Sequence, residues 1–107
     1  MSWFLLTISI ISEVMGTVAL KFSNGFTDWK PSVVVFTAYI LSFVLLGLAL
    51  KGIELSIAYA IWAGVGTALI AVIGFFYFNE PVTALKIVSI VLIVLGVVGL
   101  NLADRIA

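Results

Sequence analysis

The chain has 107 residues, 64% of them hydrophobic and 9% charged, and its formal net charge is zero. A soluble domain is about half apolar and a quarter charged, so this composition is that of an integral membrane protein, and the charge balance gives no general attraction for nucleic acid. Cysteine and histidine are both absent, which excludes a disulfide framework, thiolate metal sites and imidazole acid–base chemistry.

The first apolar run covers residues 3–20, with Glu13 in its middle. A bilayer core needs about 20 apolar residues at about 1.5 Å of rise each. Glu13 therefore sits near mid-depth, where an ionised carboxylate costs at least about 2.5 kcal/mol. The run lacks a basic leading segment, is too long for a signal-peptide core and ends in no small-residue cleavage pattern, so a cleaved signal peptide is not expected. The second run, residues 32–50, is entered through Pro31, which suits the first turn of a helix. The third, residues 55–78, closes on the breaker Asn79-Glu80-Pro81. The fourth covers residues 84–102. Strands are excluded, because four short strands cannot close a barrel and open edges are forbidden in lipid. The sequence thus predicts an all-α membrane protein: a single transmembrane domain over residues 1–107, with four helices and short loops.

Nine of the ten charged residues, Glu80 among them, fall in or beside the connections and read as solvated or snorkelling end charges. Trp3, Trp29 and the aromatic cluster at residues 75–78 fall at span ends and read as an interfacial belt. With four spans both termini face one side. That side carries Lys51 and Arg105, and the other carries Lys21, Lys30 and Lys86. A chain that inserts both ways fits this near balance; a topological determinant outside the charge count is the other reading.

Counting inward from the termini side puts Tyr39 on the second span and Trp62 on the third within about 5 Å of Glu13's level. Tyr59 lies one turn from Trp62 on its face, and Ser42 shares the face of Tyr39. Around Glu13, Ser9, Ser12, Gly16 and Thr17 make one face of the first helix small and polar, and Leu6, Ile11 and Val18 read as a lipid face. Such small residues serve helix packing equally well. No basic residue shares Glu13's depth, so two states are open to the carboxylate. It can hold a proton, since burial penalises the charged form. Or it can pair with a cation from outside, and aromatic faces nearby would add about 0.5–2 kcal/mol to such binding. Gly64 and Gly66 in the third run permit either a hinge or close packing. Ser89 and Gly96, one heptad apart on the uniformly aliphatic fourth run, suggest a packing face between subunits. Four helices leave little room for a large ligand, so a dimer is expected.

Ser12-Glu13-Val14-Met15-Gly16-Thr17, the following Lys21-Phe22-Ser23-Asn24-Gly25-Phe26-Thr27, and Ala58-Tyr59-Ala60-Ile61-Trp62-Ala63-Gly64-Val65-Gly66 resemble the first span, first loop and third span of the small multidrug resistance transporters. The resemblance in length, span number and motif position covers the whole chain. It implies a plasma-membrane exporter driven by the proton gradient, without a bound cofactor, working as an antiparallel homodimer of dual topology. Its partners would be lipophilic organic cations, protons and a second copy of itself. By the same resemblance Glu13 binds proton and substrate alternately, and Tyr39, Tyr59 and Trp62 are aromatic substrate-site positions. Ser9, Gly16, Thr17 and Ser42 line the site, Gly64 and Gly66 form a kink, and Ser89 and Gly96 form the dimer contact. Guanidinium exporters of the family carry Trp where this chain has Gly16. Gly16 with Tyr39 and Asn101 resembles the quaternary-ammonium, multidrug branch, and a glycine there is read as leaving room beside Glu13 for a bulky cation. One departure is Asp28, where a basic residue is usual; it bears on topology more than on transport.

Other readings are a guanidinium or polyamine exporter, one half of a heterodimeric pair, and a structural subunit whose Glu13 meets a partner's basic residue. An enzyme is not expected, because the chain offers no nucleophile–base pair and no metal-ligand set.

Overall fold

The computed structural model describes residues 1–106, which form four helices: α1 Ser2–Phe22, α2 Trp29–Ala49, α3 Leu55–Phe76 and α4 Ala84–Ile106. Each is long and apolar enough to cross a bilayer. With no water in the hydrocarbon to bond the backbone, a helix is the form in which a single segment satisfies its own peptide groups.

The helix ends differ from the sequence reading for local reasons. α2 starts at Trp29, so Pro31 is its third residue; proline is tolerated throughout a first turn and does not mark the first helical position. α3 stops at Phe76 rather than residue 78. Asn79 takes a left-handed φ of 53°, and the chain folds back so that Phe78 N–H bonds the Ile73 carbonyl and Glu80 N–H bonds the Gly74 carbonyl. The Ile73 carbonyl also accepts the Tyr77 N–H, and the Glu80 bond gives the Gly74 carbonyl at the helix end its partner. α4 begins where the Thr83 hydroxyl accepts the Lys86 N–H at 3.2 Å. It runs past Leu102 because no breaker follows, and Arg105 in its last turn favours the negative helix end. The α1–α2 loop passes through Asn24, Gly25 and Phe26, all at positive φ, and is pinned by Ser23. The Ser23 hydroxyl donates to the Leu20 carbonyl at 2.7 Å and accepts the Phe26 N–H at 3.1 Å.

The helices lie side by side in the order α2, α1, α3, α4, as a slab with extents of 46 × 35 × 16 Å. The thin dimension is little more than one helix with its side chains, at about 10–12 Å. Leu6, Ile10 and Val14 of α1 pack with Leu46 and Ala49 of α2 and with Ile57, Ala58 and Ile61 of α3. Leu6 is 1% exposed, which corrects its assignment to a lipid face: it stands two turns below Glu13 on the same stripe. Ile11 is exposed as expected.

Between α1 and α2 the polar contacts are reciprocal. The Ser9 hydroxyl donates to the Ser42 carbonyl and the Ser42 hydroxyl to the Ser9 carbonyl, both at 2.8 Å. The Ser12 hydroxyl donates to the Ala38 carbonyl at 2.7 Å. Hydrogen bonds of this kind hold helices together where lipid offers no hydrophobic driving force between them. α4 touches the slab through α3. Its half-buried residues Ile90, Val97, Leu100, Asn101 and Asp104 follow helical spacing, and no residue of its span is fully buried. Gly64 makes this contact close. A Cβ there would stand 2.6 Å from Val97 Cγ2 and 3.3 Å from Ile93 Cγ2.

Candidate functional site

α1 carries Glu13 half-buried on the side that faces α3. One turn on, the Thr17 hydroxyl donates to Glu13 Oε1 at 2.8 Å. The same Thr17 oxygen lies 2.6 Å from the Tyr39 hydroxyl of α2. Thr17 has one proton, and it is committed to the carboxylate in this arrangement; the Tyr39 O–H is then the donor between the two hydroxyls. A chain Tyr39–Thr17–Glu13 results, in which each hydroxyl orients the next.

On the opposite side Glu13 meets Gly66. A Cβ at that position would stand 3.2 Å from Oε2, so glycine lets the carboxylate approach the α3 backbone. Glu13, Trp62, Ala63, Gly66, Thr67, Ile70 and Ala71 line a groove of about 400 Å³, and Glu80 completes it at the end of α3. Trp62 is fixed from behind, its indole N–H donating to the Ser9 hydroxyl at 3.0 Å. Its ring lies 5.8 Å from Tyr59 and 5.6 Å from Phe43, both tilted. Trp62 therefore links the groove of the carboxylate to two further aromatic side chains.

Trp62 is bonded at the level of Ser9, and Gly66 is the residue level with Glu13. Trp62 thus lies about 6 Å, one turn, to the termini side of the carboxylate. The sequence count brought them closer because it started the first helix one residue late, at Trp3, and began counting the third at Glu54, which precedes its first residue.

The structure does not bring all the expected site residues together. Glu13, Thr17 and Tyr39 are joined by hydrogen bonds, and Glu13, Trp62 and Gly66 share the groove. Ser9 and Ser42 are 0% exposed and reach the groove through Trp62. Tyr59, 57% exposed, touches Trp62 outside the groove wall. Gly64 stands at the α3–α4 contact, and α3 runs through it and Gly66 unbroken. Ser89 and Gly96 are exposed on α4, away from Glu13, and a Cβ on Gly96 would touch nothing within 4 Å.

Gly16 needs a correction. The space beside it is not free: a Cβ would stand 2.6 and 2.7 Å from Tyr39 Cδ1 and Cε1 and 3.2 Å from Ala38 Cβ. The ring of Tyr39 fills the niche that glycine opens.

Two residues escaped the sequence reading. Phe43 stands one turn from Tyr39, a spacing that could have drawn it into the aromatic set. Glu80 was grouped with solvated end charges. Its one sequence signal is a glycine six residues earlier, and that signal has no meaning until the chain is seen to fold back.

Comparison with known proteins bears on all of this. The family model for the Small Multidrug Resistance protein matches residues 1–93. The chain is 50% identical over 99 residues to the multidrug resistance protein EbrA of Bacillus atrophaeus, covering 92% of this chain and 94% of that one. It is 44% identical to the quaternary ammonium compound-resistance protein QacF of Klebsiella aerogenes, over 99% of this chain and 96% of QacF. It is 40% identical to the guanidinium exporter of Escherichia coli K12, over 98% of this chain and all of that one. Four membrane-spanning helices, a mid-span carboxylate on an aromatic groove and a family match over most of its length agree: the chain is a multi-pass plasma-membrane protein and belongs to the small multidrug resistance family.

Proposed function

We propose that the chain is a proton-coupled antiporter that exports hydrophobic quaternary ammonium cations as an antiparallel homodimer of dual topology. The observation that carries this reading is Glu13: a mid-span carboxylate on an open groove, supported by the hydroxyl of Thr17. One donor to a charged acceptor contributes about 1.5–3 kcal/mol, which meets only part of the cost of an anion in the hydrocarbon. The remainder is met by a proton or by a bound cation. The two compete for the same oxygens, so occupancy is exclusive, and exclusive occupancy couples opposed flows.

The aromatic face of Trp62, Tyr59 and Phe43 suits a cation without hydrogen-bond donors, which is held by ring faces and by burial of its apolar surface. In the dimer two Glu13 residues share one central site. Rocking of the two copies alternates access, with α3 bending at Gly64 and Gly66. The free face of α4, with Ser89 and Gly96, supplies the contact between copies.

A second reading, guanidinium export, is supported by the relatives of that name. Guanidinium is small and planar and binds through its N–H groups, so it needs acceptors more than rings. The branches differ at Gly16. A side chain there would displace Tyr39, and with it the hydroxyl that orients Thr17.

The deciding experiment is uptake driven by a pH gradient into liposomes holding only this protein, with tetraphenylphosphonium and guanidinium compared. Tetraphenylphosphonium accumulates, guanidinium does so more weakly, and Glu13→Gln abolishes both while leaving the helical circular dichroism unchanged. Coupled transport persisting in that variant overturns the mechanism. Guanidinium transport without transport of the larger cation overturns the branch.

A further inference from the structure

We propose that Glu80 is a second functional carboxylate, which captures cations at the mouth of the groove and hands them to Glu13. The inference rests on the transport reading above. Glu80 lies beyond the end of α3, where a solvated side chain is the ordinary outcome. Here the left-handed turn at Asn79 and the bond from Glu80 N–H to the Gly74 carbonyl fold it back onto the helix. Its carboxylate occupies the space that a Cβ on Gly74 would take, so glycine at that position is what admits it.

The same groove is lined by both Glu13 and Glu80. Each carboxylate stands beside a glycine of α3, Gly66 and Gly74. Eight residues of helix place the two acids about 12 Å apart along the groove. Glu80 is exposed and Glu13 half-buried, so the groove runs from a water-facing charge to a membrane-buried one. Phe78 and Phe75 stand beside Glu80 in the neighbouring clefts, each with a lysine ammonium near its ring, Lys21 at 5.8 Å and Lys86 at 6.0 Å.

Two lysines share those clefts with Glu80, and their contacts with a ring and a carbonyl leave their positive charges in place, so they offset part of its field. Lys21 holds its ammonium over the Phe78 ring at 5.8 Å, and Lys86 donates to the Pro81 carbonyl at 2.9 Å. A charge at the mouth of a low-dielectric cleft raises the local concentration of the opposite ion. At about 12 Å its attraction for a cation on Glu13 corresponds to a factor of about 2 to 10 in affinity, between bulk water and a typical protein surface. Separations of this size are screened at about 1 M salt, where the Debye length is about 3 Å, and not at about 10 mM, where it is about 30 Å.

The test is the concentration dependence of tetraphenylphosphonium uptake into proteoliposomes at about 10 mM and about 1 M salt, for wild type, Glu80→Gln and Gly74→Ala. Glu80→Gln keeps shape and removes charge. Gly74→Ala keeps the charge and expels it from the groove. Both variants should raise KM by about 2- to 10-fold at low salt, leave kcat unchanged, and converge on wild type at high salt. Glu80→Asp, which keeps the charge, should stay closer to wild type than Glu80→Gln. KM unchanged at low salt, or raised equally at both salt concentrations, overturns the capture role; the second result would mark a packing effect. A wild-type protein that moves no cation overturns the transport reading itself, whereas active wild type with indistinguishable variants overturns only the part assigned to Glu80.

Discussion

Gly16→Ala is a small change with a calculable consequence. The new Cβ would stand 2.6 and 2.7 Å from two carbons of the Tyr39 ring and 3.2 Å from Ala38 Cβ. Carbon atoms rest at about 3.5–4.0 Å, so the ring must withdraw by about 1 Å. The hydroxyl of that ring is bonded to Thr17 at 2.6 Å, and a withdrawal of this size takes the pair out of hydrogen-bond range. Overpacking costs about 1–3 kcal/mol and the lost bond about 0.5–1.5. Replacing a mid-helix glycine by alanine returns about 0.5–1 kcal/mol. The net expectation is a destabilisation of about 0.5–4 kcal/mol, together with weaker tetraphenylphosphonium binding, because Thr17 loses its orienting partner. The assay is a double-mutant cycle with Tyr39→Ala, read by thermal unfolding in detergent and by cation titration. With Tyr39 removed only the 3.2 Å approach to Ala38 Cβ opposes the helix term, so Gly16→Ala costs much less. A cost that largely vanishes in the Tyr39→Ala background is the signature. An equal cost in both would refute the argument that Tyr39 fills the niche.

Other substitutions separate positioning from contact. Ser9→Ala removes the acceptor of the Trp62 indole and one of the two reciprocal bonds to Ser42; it should cost about 1–3 kcal/mol and change Trp62 emission, measured in a variant whose other tryptophans are replaced by phenylalanine. Ser42→Ala leaves the indole bond in place and should cost about 0.5–1.5 kcal/mol with little change in emission. Gly64→Ala drives a methyl against Val97 and should lower the unfolding temperature by an overpacking cost of about 1–3 kcal/mol, and Val97→Ala should restore it; failure of that rescue would mean that the α3–α4 approach is not limited by this pair.

The four spans were legible because the membrane allows so few structures. Length and apolar composition decide that residues 3–20 or 84–102 form helices, and no propensity argument is needed. Helix ends were less legible. The stop at Phe76 depends on where a single asparagine adopts a left-handed turn, and a run of phenylalanines gives no sign of it. Glu13 was legible as a lone acid among apolar residues. Its partner Thr17 was visible as i+4 spacing, but the role of Tyr39 was not, because it depends on which face of α2 meets α1. That face is set by the Ser9–Ser42 and Ser12–Ala38 bonds, so the small residues first read as lining the site also determine what lines it. Leu6 was misplaced for the same reason. An apolar residue in a membrane helix looks alike whether it faces lipid or a neighbouring helix, since both surroundings are apolar.

The slab geometry constrains how Glu13 works. With an extent of 16 Å in its thin direction, the chain walls the Glu13 groove with α1 and α3 and leaves it open along one face. In lipid that opening would face acyl chains, which neither hydrate an anion nor compete for a cation. In the proposed dimer, a second copy laid over the open face would supply a second Glu13 and a second aromatic wall. The proposed dimer thus draws support from the electrostatics of the site as well as from the size of the cargo. Its subunits need not bury much surface to be useful. They need to exclude lipid from one groove, which the aliphatic free face of α4, without a fully buried residue in its span, is composed to do by packing on its own counterpart while α1 and α3 stay free to enclose the cation.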